Sequence, residues 1–367
     1  MNTNMIALRT AILSDTPVCL WGPPGIGKTA LLQALAKDMG ARLETLIGST
    51  LDPTDIARPV VGTDGQVELV CAPAFRRVAE ALARGEQAIL FFDEMGSTPQ
   101  SVQAAFLRVV HERVVGDVSL KGCRIVAAAN PLDQAAGGWD LAPAAANRWL
   151  HLDWSVDVEE WCAGEIAGWG QARTPEHAAA SSLIASWIRN RPNVLIDCPT
   201  QLEKAQRGWP SPRSWSALAG VLAMIDAPTA KAAALTEAGH VLAHGLVGVA
   251  ATEFLHWVAD QNLPRPEDVI SGKEKLPTDR ADRQRAAMES VISYAIHRKV
   301  DPARVWEVLQ TCRKDVQVSL GTLYYRAAEK AGIDVTGVKG FEALAADINM
   351  ANSKVGGGRV RYRRTMK

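Results

Sequence analysis

Along the first 155 positions, apolar residues come in short runs separated by longer stretches in which they recur every three or four residues. Short apolar runs that alternate with helical periodicity predict a parallel sheet with crossover helices. Five runs read as its strands: "PVCLW" (17–21), "RLETLI" (42–47), "QAILFFD" (87–93), "RIVAAA" (124–129) and "WLHLDW" (149–154). Two turn signals interrupt the alternation, Asp64-Gly65 between "RPVVG" and "QVELV", and Gly116-Asp117 between "RVV" and "VSLKG". Each predicts a small hairpin projecting from the αβ body.

From 156 to 262 the strand signals fade, and "VEEWCAGEIAGW", "EHAAASSLIASWI" and "PRSWSALAGVLAMI" predict helices. A Pro-bearing joint, "NLPRPEDV", leads into a further mainly helical region, 263–352. The most apolar stretch, "LAHGLVGVAATEFLHWVA", is interrupted by His244, Glu253 and His256 and reads as a buried helix, not a bilayer span. Residues 353–367, "SKVGGGRVRYRRTMK", carry six Lys or Arg and no acid, which predicts a flexible, solvated tail, with a binding arm as the alternative.

Composition adds a few exclusions. A chain of 367 residues exceeds what one hydrophobic core usually supports, so two or three domains are expected. Forty basic and forty acidic residues leave no net charge, which removes any global electrostatic argument for a nucleic-acid or membrane partner. The six cysteines contain no CxxC pair, several lie in apolar runs, and they read as buried thiols in a reducing cytoplasm. His240 and His244 sit one helical turn apart with no third ligand evident, and read as packing or capping residues. Trp161, Trp169, Trp187, Trp215 and Trp257 fall in helical patterns and read as core.

The chemistry concentrates in two places. "GPPGIGKT", residues 22–29, fits the phosphate-loop pattern GxxxxGK[ST] in full, between an apolar strand and the helical pattern that starts at Thr29-Ala30. Gly22, Pro23, Pro24, Gly25, Ile26 and Gly27 form a turn that directs backbone N–H groups inward. Lys28 then reaches the β- and γ-phosphates, and the Thr29 hydroxyl can ligate Mg²⁺. Independently, "AILFFDEMG" delivers Asp93 and Glu94 to the end of a buried strand. Asp93 would hold Mg²⁺ and Glu94 would polarise an attacking water, so the pair points to ATP hydrolysis, not transfer to a second substrate.

With "DEMGSTPQSVQAAFLRVVHERVVGDVSLKGCRIVAAANP" added, the chain resembles AAA+ ATPases, and within them the MoxR group, over residues 5–225. The resemblance implies an αβα nucleotide-binding core (1–155) with a parallel five-stranded sheet, followed by a helical lid (156–262). It makes Asn130 a sensor of the γ-phosphate. "APAAANRW" resembles the family segment ending Asp-Arg-Phe, from which Asn147 and Trp149 depart, and implies that Arg148 is an arginine finger for a neighbouring subunit. "WPSPRSW" implies that Arg213 reaches the phosphates from the lid, and Arg113 is a second candidate at the subunit boundary. The two hairpins match the family's helix-2 insert and pre-sensor hairpin. The resemblance further implies a cytoplasmic homo-oligomeric ring, a hexamer, that uses ATP and Mg²⁺ to remodel a protein client and works with a von Willebrand factor A domain partner. The alternatives are a nucleic-acid motor, a metal-chelatase-type motor subunit, and an assembly scaffold with little turnover.

Overall fold

The computed structural model describes residues 3–131, 141, 143–341 and 345; the basic stretch 353–367 lies outside them. The chain divides into two compact units, the first ending at Ser155 and the second beginning at Val156.

In the first unit, β1 (Val18–Trp21), β2 (Arg42–Ile47), a hairpin of β3 (Arg58–Val61) and β4 (Val67–Val70), β5 (Ala88–Asp93), a hairpin of β6 (Val114–Val115) and β7 (Val118–Ser119), β8 (Arg124–Ala129) and β9 (Leu150–Asp153) follow in chain order. The large strands form one sheet in the order β2-β5-β8-β1-β9, every pairing parallel. The five expected strands are all present, and the turns at Gly65 and Gly116 take φ of 78° and 54°, which glycine adopts without steric cost.

The sheet is covered on both sides because successive strand residues point to opposite faces. On β5, Leu90 and Phe92 pack with Phe75, Val78 and Phe106 of helices Pro73–Ala83 and Gln100–Glu112. Ile89 and Phe91 pack on the other face with Leu8, Ile12, Leu32 and Leu35 of helices Thr3–Leu13 and Lys28–Asp38. Parallel pairing brings the carboxyl ends of β1, β5 and β8 to one edge, where open α/β sheets bind their ligands.

Among the described residues of the second unit, every regular element is a helix. One core runs through Trp161, Trp187, Trp215, Phe254, Met288, Leu323 and Phe341, so residues on both sides of the 263 joint share it. Three expectations need correction here. Trp169 is 46% exposed, its indole N–H bonded to Glu165. His240 and His244 face solvent on helix Glu237–Val247 and are not packed. The apolar stretch around them is two helices, since Gly248 (φ 57°) ends the first and Ala250–Asp260 forms the second.

Candidate functional site

The loop after β1 is built from glycine geometry. Gly25 and Gly27 take φ of 78° and 89°, a left-handed conformation that a side chain disfavours. Gly22 is needed for a different reason: a Cβ there would lie 2.6 Å from the Trp154 carbonyl oxygen and 2.7 Å from the Ile26 side chain. Pro23, Pro24 and Ala30 complete the segment, and Ile26 is buried beneath it. Helix Lys28–Asp38 starts directly at Gly27, so its first N–H groups and positive dipole end face the loop.

Three strand ends converge on this loop. The buried Lys28 donates from Nζ to the carbonyl oxygens of Gly22 at 2.6 Å and Pro23 at 3.0 Å. It also donates to Oδ1 of Asn130 at 2.9 Å, at the end of β8. Thr29 donates its hydroxyl to Oδ2 of Asp93 at 2.6 Å, at the end of β5. The other Asp93 oxygen accepts the Glu94 backbone N–H at 2.9 Å, which turns the first toward Thr29. A hydroxyl and a carboxylate brought together at the edge of a phosphate loop are hard oxygen donors of the kind Mg²⁺ takes, so the residues fit that ion. Beneath them, burial pushes the Cys19 thiol up to about 12 despite the positive charge of Lys28, so it remains neutral.

Glu94 is exposed and takes φ 58°. Its carboxylate accepts the Ser49 hydroxyl, and its carbonyl accepts Thr98 Oγ1 at 3.0 Å. The turn carrying Ser49 approaches this closely because Gly48 has no side chain; a Cβ there would collide with Thr98 Oγ1. Ser49 belongs to no motif in the sequence. A hydroxyl residue just past the end of β2, the strand beside β5, is the only signal that could have flagged it.

The two expected arginines, Arg148 and Arg213, are both exposed. Arg148 follows the short helix Pro143–Ala146 and is exposed. It lines a cavity of about 300 Å³ with Asp15, Pro17, Val110, His111 and Arg113. Arg113 is spent within its own chain: its guanidinium donates to the Val110 carbonyl and, at 3.1 Å, to the Asp15 carboxylate. Arg213 is exposed in the second unit, on the first turn of helix Pro212–Leu222, which Ser211 caps. That helix is anchored by the Ser216 hydroxyl, which donates to the buried Glu165 carboxylate.

Residues 17–148 match the family of AAA domains of the dynein-related subfamily. Protein MoxR of Methylorubrum extorquens is 36% identical over 110 residues, which cover 29% of this chain and 30% of that protein. A proteasome-associated ATPase of Acidimicrobium ferrooxidans is 32% identical over 189 residues, 49% of this chain and 29% of the other. The chain thus spans less than a third of the length of these curated relatives. Among solved structures, the RuvB Holliday junction branch migration motor of Thermotoga maritima covers 90% of this chain and 85% of its own at 15% identity, with a TM-score of 0.36, too slight a likeness to bear on function.

Proposed function

We propose, on the premise that residues 17–148 match AAA domains of the dynein-related subfamily, that this chain binds Mg-ATP and hydrolyses it between the subunits of a ring. The observation that carries the reading is the convergence of Lys28, Asn130, Thr29 and Asp93 from three strand ends onto one glycine-shaped loop. Lys28 and the loop N–H groups neutralise the β- and γ-phosphate oxygens, and Asn130 holds the far side of the γ-phosphate. Thr29 and Asp93 would hold Mg²⁺, which would supply charge neutralisation for the phosphates. Glu94 takes a proton from the attacking water.

Arg148 completes the neighbouring subunit's site, because a fixed, always-charged fork suits charge spreading over the transferring phosphoryl group. Its exposure supports this assignment over Arg113, whose side chain is only 13% exposed. The resemblance to MoxR motivates a phosphate-contacting role for Arg213 as well. The work done is the remodelling of a protein client by a cytoplasmic hexamer with a von Willebrand factor A domain partner. The resemblance to MoxR motivates that reading, and six free cysteines, five of them buried, suit a reducing compartment.

The test is Glu94→Gln. Substrate contacts survive, so nucleotide affinity stays within about twofold, while hydrolysis falls by about 10² or more as water activation is lost. Wild-type turnover in that variant would falsify the assignment of Glu94 and the hydrolytic reading with it.

A further inference from the structure

His151, on the edge strand β9 of the first unit, makes two side-chain hydrogen bonds. Trp21, the last residue of β1, donates from Nε1 to Nδ1 of His151 on β9 at 2.8 Å, and the two rings stack with centroids 5.9 Å apart. On its other edge, the His151 ring meets the Ala146 carbonyl oxygen through Nε2 at 2.9 Å. An indole N–H can only donate and a backbone carbonyl can only accept. The tautomer that satisfies both neighbours carries its proton on Nε2.

The two ends of this bridge lie next to the two halves of the proposed chemistry. Trp21 is joined covalently to Gly22, the first residue of the phosphate loop. Ala146 closes the helix Pro143–Ala146, two residues before Arg148. Its carbonyl also accepts the Trp149 N–H at 3.2 Å, beside the local bonds from Asn147 to the Pro143 carbonyl and from Arg148 to the Ala145 carbonyl, both 3.1 Å, so the oxygen that meets His151 belongs to the turn that carries the arginine. The β1 end is the firm one, since β1 is paired on both sides, with β8 and β9. The turn at 146–149 has no ladder to hold it. Backbone pairing of β1 with β9 does not depend on the side chain at 151, so the bridge is an added constraint on that turn.

We propose that His151 is a positioning residue that ties the turn bearing Arg148 to the strand feeding the same subunit's phosphate loop. The arginine a subunit offers its neighbour is thereby held in register with its own site. The inference rests on the reading of Arg148 as acting across a subunit boundary.

The experiment uses full-length His151→Phe, which keeps a stacking ring and removes both hydrogen bonds, beside Trp21→Phe, which removes the donor alone. Because a misplaced charge contact of about 1 Å costs up to about a hundredfold, kcat should fall about ten- to a hundredfold, with KM and the affinity for a fluorescent ATP analogue within about twofold. Mixing then locates the defect. His151→Phe subunits have a sound pocket and a poorly held arginine, and Lys28→Ala subunits have the reverse, so mixed assemblies should recover activity. Mixing with Arg148→Ala should recover little, since neither subunit supplies a sound arginine.

Recovery with Arg148→Ala but not with Lys28→Ala would mean that His151 serves its own loop, and would overturn the proposal. So would unchanged turnover in both single variants. Failure of the underlying reading looks different: Arg148→Ala alone would keep wild-type turnover, or would fail to complement Lys28→Ala in mixed assemblies verified by tagged pull-down. Should His151→Phe not fold, Trp21→Phe must show the same complementation pattern, and its absence there counts equally against the proposal.

Discussion

Replacing Glu44 by glutamine should loosen the first unit in a pH-dependent way. The Glu44 carboxylate on β2 is nearly buried and accepts four N–H bonds. Two come from Arg42 at 2.9 and 2.8 Å, and two from Arg77 of helix Pro73–Ala83 at 2.9 and 2.7 Å. An amide keeps the shape but turns an N–H₂ toward two guanidinium groups that can only donate. Charge-assisted bonds are each worth about 1.5–3 kcal/mol. Both arginine side chains are more than a third exposed, at 39% and 46%, and recover much of that from water, so the net loss should be about 1–2 kcal/mol at pH 7.

The hydrogen bonds from Arg77 above all, with those from Arg42, hold the Glu44 carboxyl below its ordinary value of 4.5, against an opposing push from burial. A depressed folded-state value means that the stabilisation is complete above the unfolded-state value and is lost as pH falls through the folded one. The gap between wild type and variant should therefore be full at pH 7 and shrink steadily below about 4.5. Urea unfolding at pH 7 and at a series of pH values below 4.5 measures it. A 1–2 kcal/mol loss moves the midpoint by about 0.5–1 M, and hydrogen exchange of β2 amides assigns the loss to this unit. An unchanged midpoint at pH 7, or a gap that does not narrow on acidification, would refute the reasoning.

Gly22→Ala should cost about 1–3 kcal/mol and weaken nucleotide binding, because its Cβ meets a backbone oxygen that cannot swing away; thermal unfolding and nucleotide titration read both effects. Ser49→Ala should raise basal hydrolysis about two- to tenfold, since Glu94 no longer leaves a hydrogen bond to reach the water; a fall in steady-state rate would show instead that Ser49 aims the carboxylate. Asp93→Asn should abolish hydrolysis and make nucleotide affinity nearly independent of Mg²⁺, as titrations with and without EDTA would reveal. Affinity that still depends on Mg²⁺ in that variant would remove Asp93 from the metal's ligands.

The residue pattern alone determined the five strands and both hairpins of the first unit and marked the glycine loop after β1. Strands buried on both faces must be apolar at every position, so Ile89–Phe92 and Ile125–Ala129 stand out as unbroken runs. Turns that need a left-handed backbone require glycine, so the hairpins at Gly65 and Gly116 and the loop at Gly25 and Gly27 are visible one residue at a time. Each of these signals is local, a property of neighbouring residues along the chain. Arrangements that depend on pairing across long separations were not visible in that way. The sheet order β2-β5-β8-β1-β9 depends on which strands gain most by lying side by side, and no single strand records it. Ser49 meets Glu94 only because β2 lies beside β5, and Trp21 meets His151 across 130 residues only because β9 pairs with β1. Likewise, the sequence could rank Arg148 ahead of Arg113 only by resemblance. Folding packs Asp15 against Arg113 and buries most of its side chain while Arg148 stays exposed, because burial is set by what the rest of the chain packs around a residue.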